Sequence, residues 1–208
     1  MKGVTNMKRF LCLVLTCILL CGCAPQRQPA LSDFLPDEVG SVYRSAFGFS
    51  IDLTDLTVST ARDIAERNGQ DTSNLEDTLT RQMETDGPAP IFAAKAVDDS
   101  YLVLSMIPTD KLARSLRTTA AYADEAVGSI PEMLEPMGCT DIQIQRTQVT
   151  LGQTQHPAVS VSCSYADGSP YDLLQIYFCE GDWMGTSSLA ATGSPESIAS
   201  MLTRISAS

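Results

Sequence analysis

The chain has one histidine and one tryptophan in 208 residues, and only 14 lysines and arginines against 25 aspartates and glutamates. Each shortage removes a class of function. With His156 alone, a multi-histidine metal site is impossible, because such sites gather several imidazoles around one ion. The formal net charge of −11 argues against a nucleic-acid partner, which rewards clustered cations. No S-x-x-K, glycine-rich phosphate loop or EF-hand pattern occurs, so three further chemistries lack their residues. Gly48-Phe49-Ser50-Ile51-Asp52 lacks the second glycine of a nucleophile elbow and alternates like a strand. Internal repeats and low-complexity blocks are absent. The apolar run Phe10–Leu20 falls short of the roughly 20 residues that a membrane-spanning helix needs.

That short run still carries an address. Lys2, Lys8 and Arg9 precede it and no acidic residue falls within residues 1–22, the pattern of a secretory signal peptide. Met7-Lys8-Arg9 alone could open it. Leu20-Cys21-Gly22-Cys23 resembles the lipobox of bacterial lipoproteins, in which leucine and two small residues precede a cysteine whose thiol takes a diacylglycerol. Small residues at 21 and 22 leave the backbone open to the signal peptidase; Cys21 stands where alanine or serine is commoner. The resemblance implies that Cys23 is the lipidation site, that palmitate-type acyl chains hold the protein to the membrane, and that it sits on the extracytoplasmic side of the cell membrane. Removing residues 1–22 takes away three basic residues and no acidic ones, leaving a charge of −14. So acidic a surface is repelled by anionic lipid, and the lipid on Cys23 must supply the attachment.

Three regions follow: a signal peptide at 1–22, the lipidated Cys23 with a flexible tether to 40, and a single domain at 41–208. Pro25, Pro29 and Pro36 among polar neighbours give the tether its extended texture. Within the domain, Phe47, Phe49, Ile51 and Leu53 alternate as the apolar face of a strand. Ser59–Asn68 reads as a helix stopped by Gly69, and a second helix starts at Ser73, with Glu76 at capping-box spacing. Ile91–Val97 and Tyr101–Ile107 form a hairpin around Asp98-Asp99-Ser100. Residues 110–137 are helical in two pieces, divided at Gly128 and Pro131. Four strands come next, at Ile142–Leu151, Pro157–Tyr165, Tyr171–Cys179 and Trp183–Ala191, joined by short turns that make consecutive strands antiparallel. A last helix starts at Ser194-Pro195-Glu196, with Ile198, Met201, Leu202 and Ile205 on its buried face. The fold class is therefore α+β, an antiparallel β-sheet flanked by helices.

The segments YRSAFGFSIDL, VTLG with HPAV, GDW and SPESI, in that order behind a lipobox and tether, resemble the small lipoproteins of the PsbP-like group. The resemblance spans residues 41–206. It implies a PsbP-like sandwich and a non-catalytic, protein-contacting role, since the group shares no active site. Leu53-Thr54-Asp55-Leu56 departs from the group, where a proline and a tryptophan often follow the first strand, and leaves the first hairpin unspecified.

Candidate chemistry is sparse. His156, at the mouth of a hairpin, would need a nucleophile and an orienting carboxylate to act as a base. Of the cysteines beyond Cys23, none forms a C-x-x-C pair. Turn-centred register places Cys163 opposite Ile144 in one hairpin and Asp172 in the next, away from Cys139 and Cys179, which predicts three buried free thiols. The same counting sets Cys179 opposite His156, the one pairing that could activate a thiol. Asp37-Glu38, Asp98-Asp99 and Asp124-Glu125 read as solvated surface, and Trp183 as a core lid rather than a ligand platform. No catalytic residue, metal or cofactor is expected. The function expected is a lipid-anchored, non-catalytic binding or accessory module with a protein or small-molecule partner outside the cell. The alternative is an extracytoplasmic hydrolase with a site that follows no motif. A two-lobed solute receptor needs a second domain that residues 41–208 do not supply.

Overall fold

A computed structural model describes residues 27–36, 39–193 and 195–207. Its centre is a seven-stranded antiparallel sheet in the order β3-β4-β5-β9-β8-β7-β6. The strands are β3 (Thr57–Thr60), β4 (Ala89–Lys95), β5 (Tyr101–Pro108), β6 (Thr140–Leu151), β7 (Thr154–Ser164), β8 (Pro170–Glu180) and β9 (Trp183–Thr192). A second sheet, β1-β2-β10, joins β1 (Val42–Ser45), β2 (Phe49–Asp52) and β10 (Ile205–Ala207). Four α-helices complete the fold of the described residues: α1 (Ala61–Arg67), α2 (Leu75–Thr85), α3 (Thr119–Leu134) and α4 (Pro195–Thr203). The expected α+β class, an antiparallel sheet flanked by helices, is the class observed.

The large sheet is covered unequally. One face meets the small sheet, α2 and α4, and the main core forms between them. Phe49, Ile51, Leu79, Met83, Leu102, Leu104, Phe178, Leu189 and Met201 are all buried there. Alternation explains the selection: Phe49 and Ile51 point the same way along β2, as do Leu102, Leu104 and Met106 along β5. On the opposite face α3 is the one α-helix among the described residues, and its Ala123, Ile130 and Leu134 pack on Val159, Val161, Leu173 and Tyr177.

The four C-terminal strands fall where alternation placed them, as does the β4–β5 hairpin. Helix starts shift by about one residue: α1 is capped by Thr60, and α2 by Asn74, whose side chain accepts from the Asp77 amide. Two expectations are corrected, and a segment left unspecified is resolved. Helix α3 is continuous through Gly128 and Pro131, because one backbone bond lost at Pro131 is outweighed by burying Ile130 and Leu134 on either side of it. Ile205 is buried in β10, paired with Ile51, rather than on the last helix. Leu53-Thr54-Asp55-Leu56 is a turn with Asp55 at φ 63° and Asp52 Oδ1 accepting from Thr54 N at 3.0 Å, so β2 pairs with β1 and β10 while the chain crosses to β3.

The tether expectation also needs correction over its described part. Leu31–Phe34 is a 3-10 turn, which sets residues three apart on one side, and both Leu31 and Phe34 are buried. Phe34 packs against Phe47 and Trp183, with ring centroids 4.7 and 5.8 Å away. Trp183 Nε1 donates to Pro29 O at 2.9 Å. The packed domain thus reaches back to Pro29, and Trp183, half-buried, is a lid on Phe34. Cys23, the Asp37-Glu38 pair and Ser194 lie outside the described residues.

Gly185 on β9 is where packing leaves no room. A Cβ there would sit 2.5 Å from Phe47 Cζ. Gly185→Ala is expected to destabilise the fold by about 1–3 kcal/mol through overpacking. Gly128→Ala, in the exposed middle of α3 with nothing within 4 Å of its Cβ, is expected to be neutral or to stabilise by about 0.5–1 kcal/mol. Denaturant melts of the two variants check both signs.

Candidate ligand cleft

Helix α3 packs mainly over β6, β7 and β8, and beside it the same face of β5 and β9 stays open around Ser105, Thr186 and Ser188. A cleft of about 380 Å³ follows this boundary. Its helical wall presents Tyr122, Ala126, Ile130 and Met133, at the three- and four-residue spacings of one helix face. The floor is the outward-facing row of the sheet: Ser105 from β5, Gln175 and Tyr177 from β8, Thr186 and Ser188 from β9. Cross-strand pairing sets Ser188 beside Gln175 and Thr186 beside Tyr177, so these side chains rise together.

The floor is hydrogen-bonded within itself. Tyr177 Oη donates to Gln175 Oε1 at 2.6 Å, and Gln175 Nε2 donates to Ser188 Oγ at 3.3 Å. Tyr122 meets Tyr177 edge-on, with centroids 5.7 Å apart at 89°. Burial pushes both phenols above their usual range; at Tyr177 the neighbouring Tyr122 phenol adds to this and Arg146 opposes it. Both therefore stay protonated across the physiological range, as hydrogen-bond donors and not as bases. Each amide nitrogen carries two hydrogens and each hydroxyl one. Gln175 and Ser188 thus keep donors free for a guest. Arg146 anchors the wall: its Nε donates to Asp124 Oδ1 at 2.8 Å, and its Nη atoms reach the carbonyls of Ala120, Thr147 and Ala158.

The residues singled out from sequence lie elsewhere. His156 is on the main-core side of the large sheet, 4.9 Å from the Phe178 ring. Cys179, on the next residue of β8, points to the α3 side. The expected His156–Cys179 opposition is off by one residue. The β7–β8 loop spans Tyr165–Ser169 and centres on Asp167, with Ser164 paired to Pro170 and Cys163 to Tyr171. Sequence counting centred the turn between Asp167 and Gly168, and a one-residue slip moves every side chain to the other face. The β6–β7 register is also tighter than expected, with Leu151 opposite Thr154 and Val161 opposite Ile144. That change brings Cys163 toward Cys139 and corrects the expectation that they lie out of reach.

The acidic pairs do turn and anchoring work. Asp98 accepts from Ser100 Oγ at 2.6 Å and from Ser197 Oγ at 2.7 Å, tying the β4–β5 hairpin to α4. These bonds, that from Ser100 first, hold its carboxyl below the usual range. Asp99 pairs with Lys95 at 2.6 Å, and Asp124 is the partner of Arg146. Glu125 alone of these stands at the cleft rim. Among the described residues, no three His, Cys, Asp or Glu side chains gather as metal ligands would, and no helix is long and apolar enough to cross a membrane. Sequence reading missed the cleft residues because Ser105, Gln175, Thr186 and Ser188 look like ordinary outward positions of strands; only the placement of α3 joins them.

No family model matches the chain, and no curated protein does. Among solved structures, it is similar to the solution structure of cyanobacterial PsbP (CyanoP) from Synechocystis sp. PCC 6803. That match has 9% identity and a TM-score of 0.46, covering 89% of this chain and 100% of the other. A crystal structure from Bacteroides thetaiotaomicron VPI-5482 aligns at 14% identity and TM-score 0.37, over 81% of this chain and 48% of that one. At these values neither likeness bears on function, which is read from the cleft.

Two outcomes follow from these placements. Burial, then Glu180 and Asp182, push the Cys179 thiol above its usual range, so iodoacetamide should label it slowly at neutral pH and at the same rate in His156→Ala. Fast labelling lost in that variant would revive a thiol–imidazole pair. Burial also lowers the pKa of His156, partly offset by hydrogen bonding to the Tyr177 backbone. A depressed folded-state pKa favours neutral imidazole, so this stabilisation is present above about pH 6.5 and is lost as pH falls through the folded value. The melting temperature should drop between pH 7 and 5, and less so in His156→Gln.

Proposed function

We propose that this protein is a lipid-anchored, extracytoplasmic binding or accessory module whose ligand occupies the cleft between α3 and the open half of the large sheet. The observation that carries the reading is the floor itself. Gln175, Tyr177 and Ser188 form a pre-arranged row of neutral donors and acceptors beside an apolar wall of Ala126, Ile130 and Met133. Small-molecule sites combine a concave, largely apolar lining with a few fixed polar groups, and this cleft has that composition at a fitting volume. The guest it suits is amphipathic: an apolar or aromatic part against the helix, and a hydroxyl, amide or similar neutral polar group over Gln175 and Ser188.

Support for a non-catalytic role comes from the chemistry of the lining. Its tyrosines are held neutral, among the described residues neither His156 nor a cysteine lines the cleft, and no hydrogen bond joins Glu125 to a lining serine as a base would hold its nucleophile. The anchor rests on the Leu20–Cys23 lipobox pattern alone. If Cys23 carries the lipid, Cys23→Ala leaves the precursor unprocessed or frees it from membranes. Normal processing and membrane recovery of that variant would end the lipoprotein reading.

The cleft is tested by thermal-shift screening of the full chain against neutral aromatic alcohols and amides, alongside Ser188→Trp, which fills the floor. A binder at a hundredfold excess over its Kd should raise the melting temperature by roughly 5–10 °C, and the shift should vanish in Ser188→Trp. Hits that shift both proteins equally would remove the cleft from consideration. Turnover of an ester or amide probe that disappears in Glu125→Gln would replace binding with hydrolysis.

A further inference from the structure

Cys139 and Cys163 meet because of an irregularity in β6. Along most of the β6–β7 ladder the pairing is regular, with Ile144 opposite Val161 and Gln143 opposite Ser162. Continued regularly, this register would put Thr140 on the same face as Cys163 and turn Cys139 to the opposite one. Instead the ladder takes up an extra residue between Gln143 and Thr140, and Thr140 pairs with Ser164. Asp141 sits inside this bulge at φ 54°, a left-handed conformation that a non-glycine residue adopts only where the surroundings impose it. The inserted residue flips Cys139 onto the α3 face, diagonally across from Cys163. Both side chains are buried in one cluster with Leu134, Tyr171 and Tyr165. The approach to this point is fixed as well: Gly138 ends the helical run at φ 80°, and Cys139 N donates to Leu134 O at 3.2 Å. Cys163 feels its neighbour directly. Burial first, then its contact with the Cys139 thiol, push it up to about 12.

We propose that Cys139 and Cys163 are a disulfide-forming pair, joined when the chain folds in an oxidising compartment, so that the bond pins the end of the helical run after α3 to β7, beside the β6 edge of the large sheet. The oxidant is a disulfide, either a low-molecular-weight one or that of a thiol–disulfide oxidoreductase. One cysteine, as thiolate, attacks a sulfur of that disulfide, forming a mixed disulfide and expelling one oxidant thiolate. The second, on losing its proton, attacks the protein-side sulfur and expels the remaining oxidant thiolate. Two electrons and two protons leave the pair, and the oxidant becomes two thiols. Attack needs thiolate and access, and the folded protein denies both to Cys163, so the exchange belongs to the folding chain or to transient opening at the sheet end. Once formed, the bond is shielded from reductants by the same burial. Cys179, toward the opposite end of β8, is a free thiol, exposed rather than buried as expected, and serves as an internal control.

The inference is independent of what fills the cleft, and peptide mapping tests it. The full chain carrying Cys179→Ser is reduced, unfolded, refolded in a mixture of oxidised and reduced glutathione, and blocked with N-ethylmaleimide in denaturant. Cleavage after Arg117, Arg146 and Arg204 leaves Cys139 on peptide 118–146 and Cys163 on peptide 147–204. The expected result is a species linking these two peptides, separated by dithiothreitol and absent in Cys163→Ser. The oxidised protein should melt roughly 5–10 °C above its reduced form. The same peptides from full chain isolated under acid quench, never unfolded, give a reading that does not depend on refolding. Cys139 and Cys163 both recovered as maleimide adducts at the most oxidising ratio, in protein with native circular dichroism, would overturn the proposal. So would Cys139 linked to Cys179 in the unsubstituted chain, the two partners being separated by a further chymotryptic cut after Tyr171.

Discussion

A seven-stranded sheet has two faces to cover, and the described residues offer one helix for the second of them. Six inter-strand spacings of about 4.8 Å give a sheet roughly 29 Å across, while a single helix covers about 10 Å of width. The other face is closed by a second sheet and two helices. Helix α3 must therefore choose part of its face, and it takes β6–β8, where Val159, Val161, Leu173 and Tyr177 supply apolar surface. What it leaves bare has to tolerate water or a guest. Ser105, Thr186 and Ser188 are small and polar there, while Leu104, Ser187 and Leu189 on the reverse side are fully buried. The cleft is the consequence of this incomplete cover.

The position of α3 is in turn held at both ends. Near its start, Arg146 reaches from β6 to Asp124 and the Ala120 carbonyl. At its end, the helical run closes through Gly138 and hands the chain to Cys139 and the bulged start of β6. Movement of the helix would change the cleft width directly, because Ile130 and Met133 are both wall and helix. A partner that grips α3 from outside would have the half-exposed side chains of Met133 and Met137, four residues apart, to hold.

Much of the architecture was legible because period-two alternation survives in the long strands. Phe49 and Ile51 in β2, Val159 and Val161 in β7, and Leu173 in β8 all point as their spacing required. Capping residues marked α1 and α2 to within about one position. What failed was what depends on register or on distant partners. The β7–β8 turn is a five-residue loop, and misplacing its centre by half a residue put His156 beside the wrong neighbour. A bulge such as that at Asp141 leaves no clear mark in a sequence, so the meeting of Cys139 and Cys163 was hidden. Pro29 and Pro36 suggested a tether, but Leu31 and Phe34 find an apolar socket under Trp183 that is assembled only in the folded protein. The cleft was invisible for the same reason. Its wall comes from residues 122–133 and its floor from Ser105 and from residues 175–188, each unremarkable in its own element.

The most direct test of the cleft is to locate a bound ligand on the full chain by amide and side-chain NMR, using whichever neutral aromatic alcohol or amide binds tightest. Perturbations confined to Ser105, Gln175 and Ser188 on the floor and to Ala126–Met133 on α3 are predicted, with Gln175 side-chain amide signals moving most. Perturbations centred instead on Trp183, Pro29 and Arg117, or spread evenly over the surface, would contradict it.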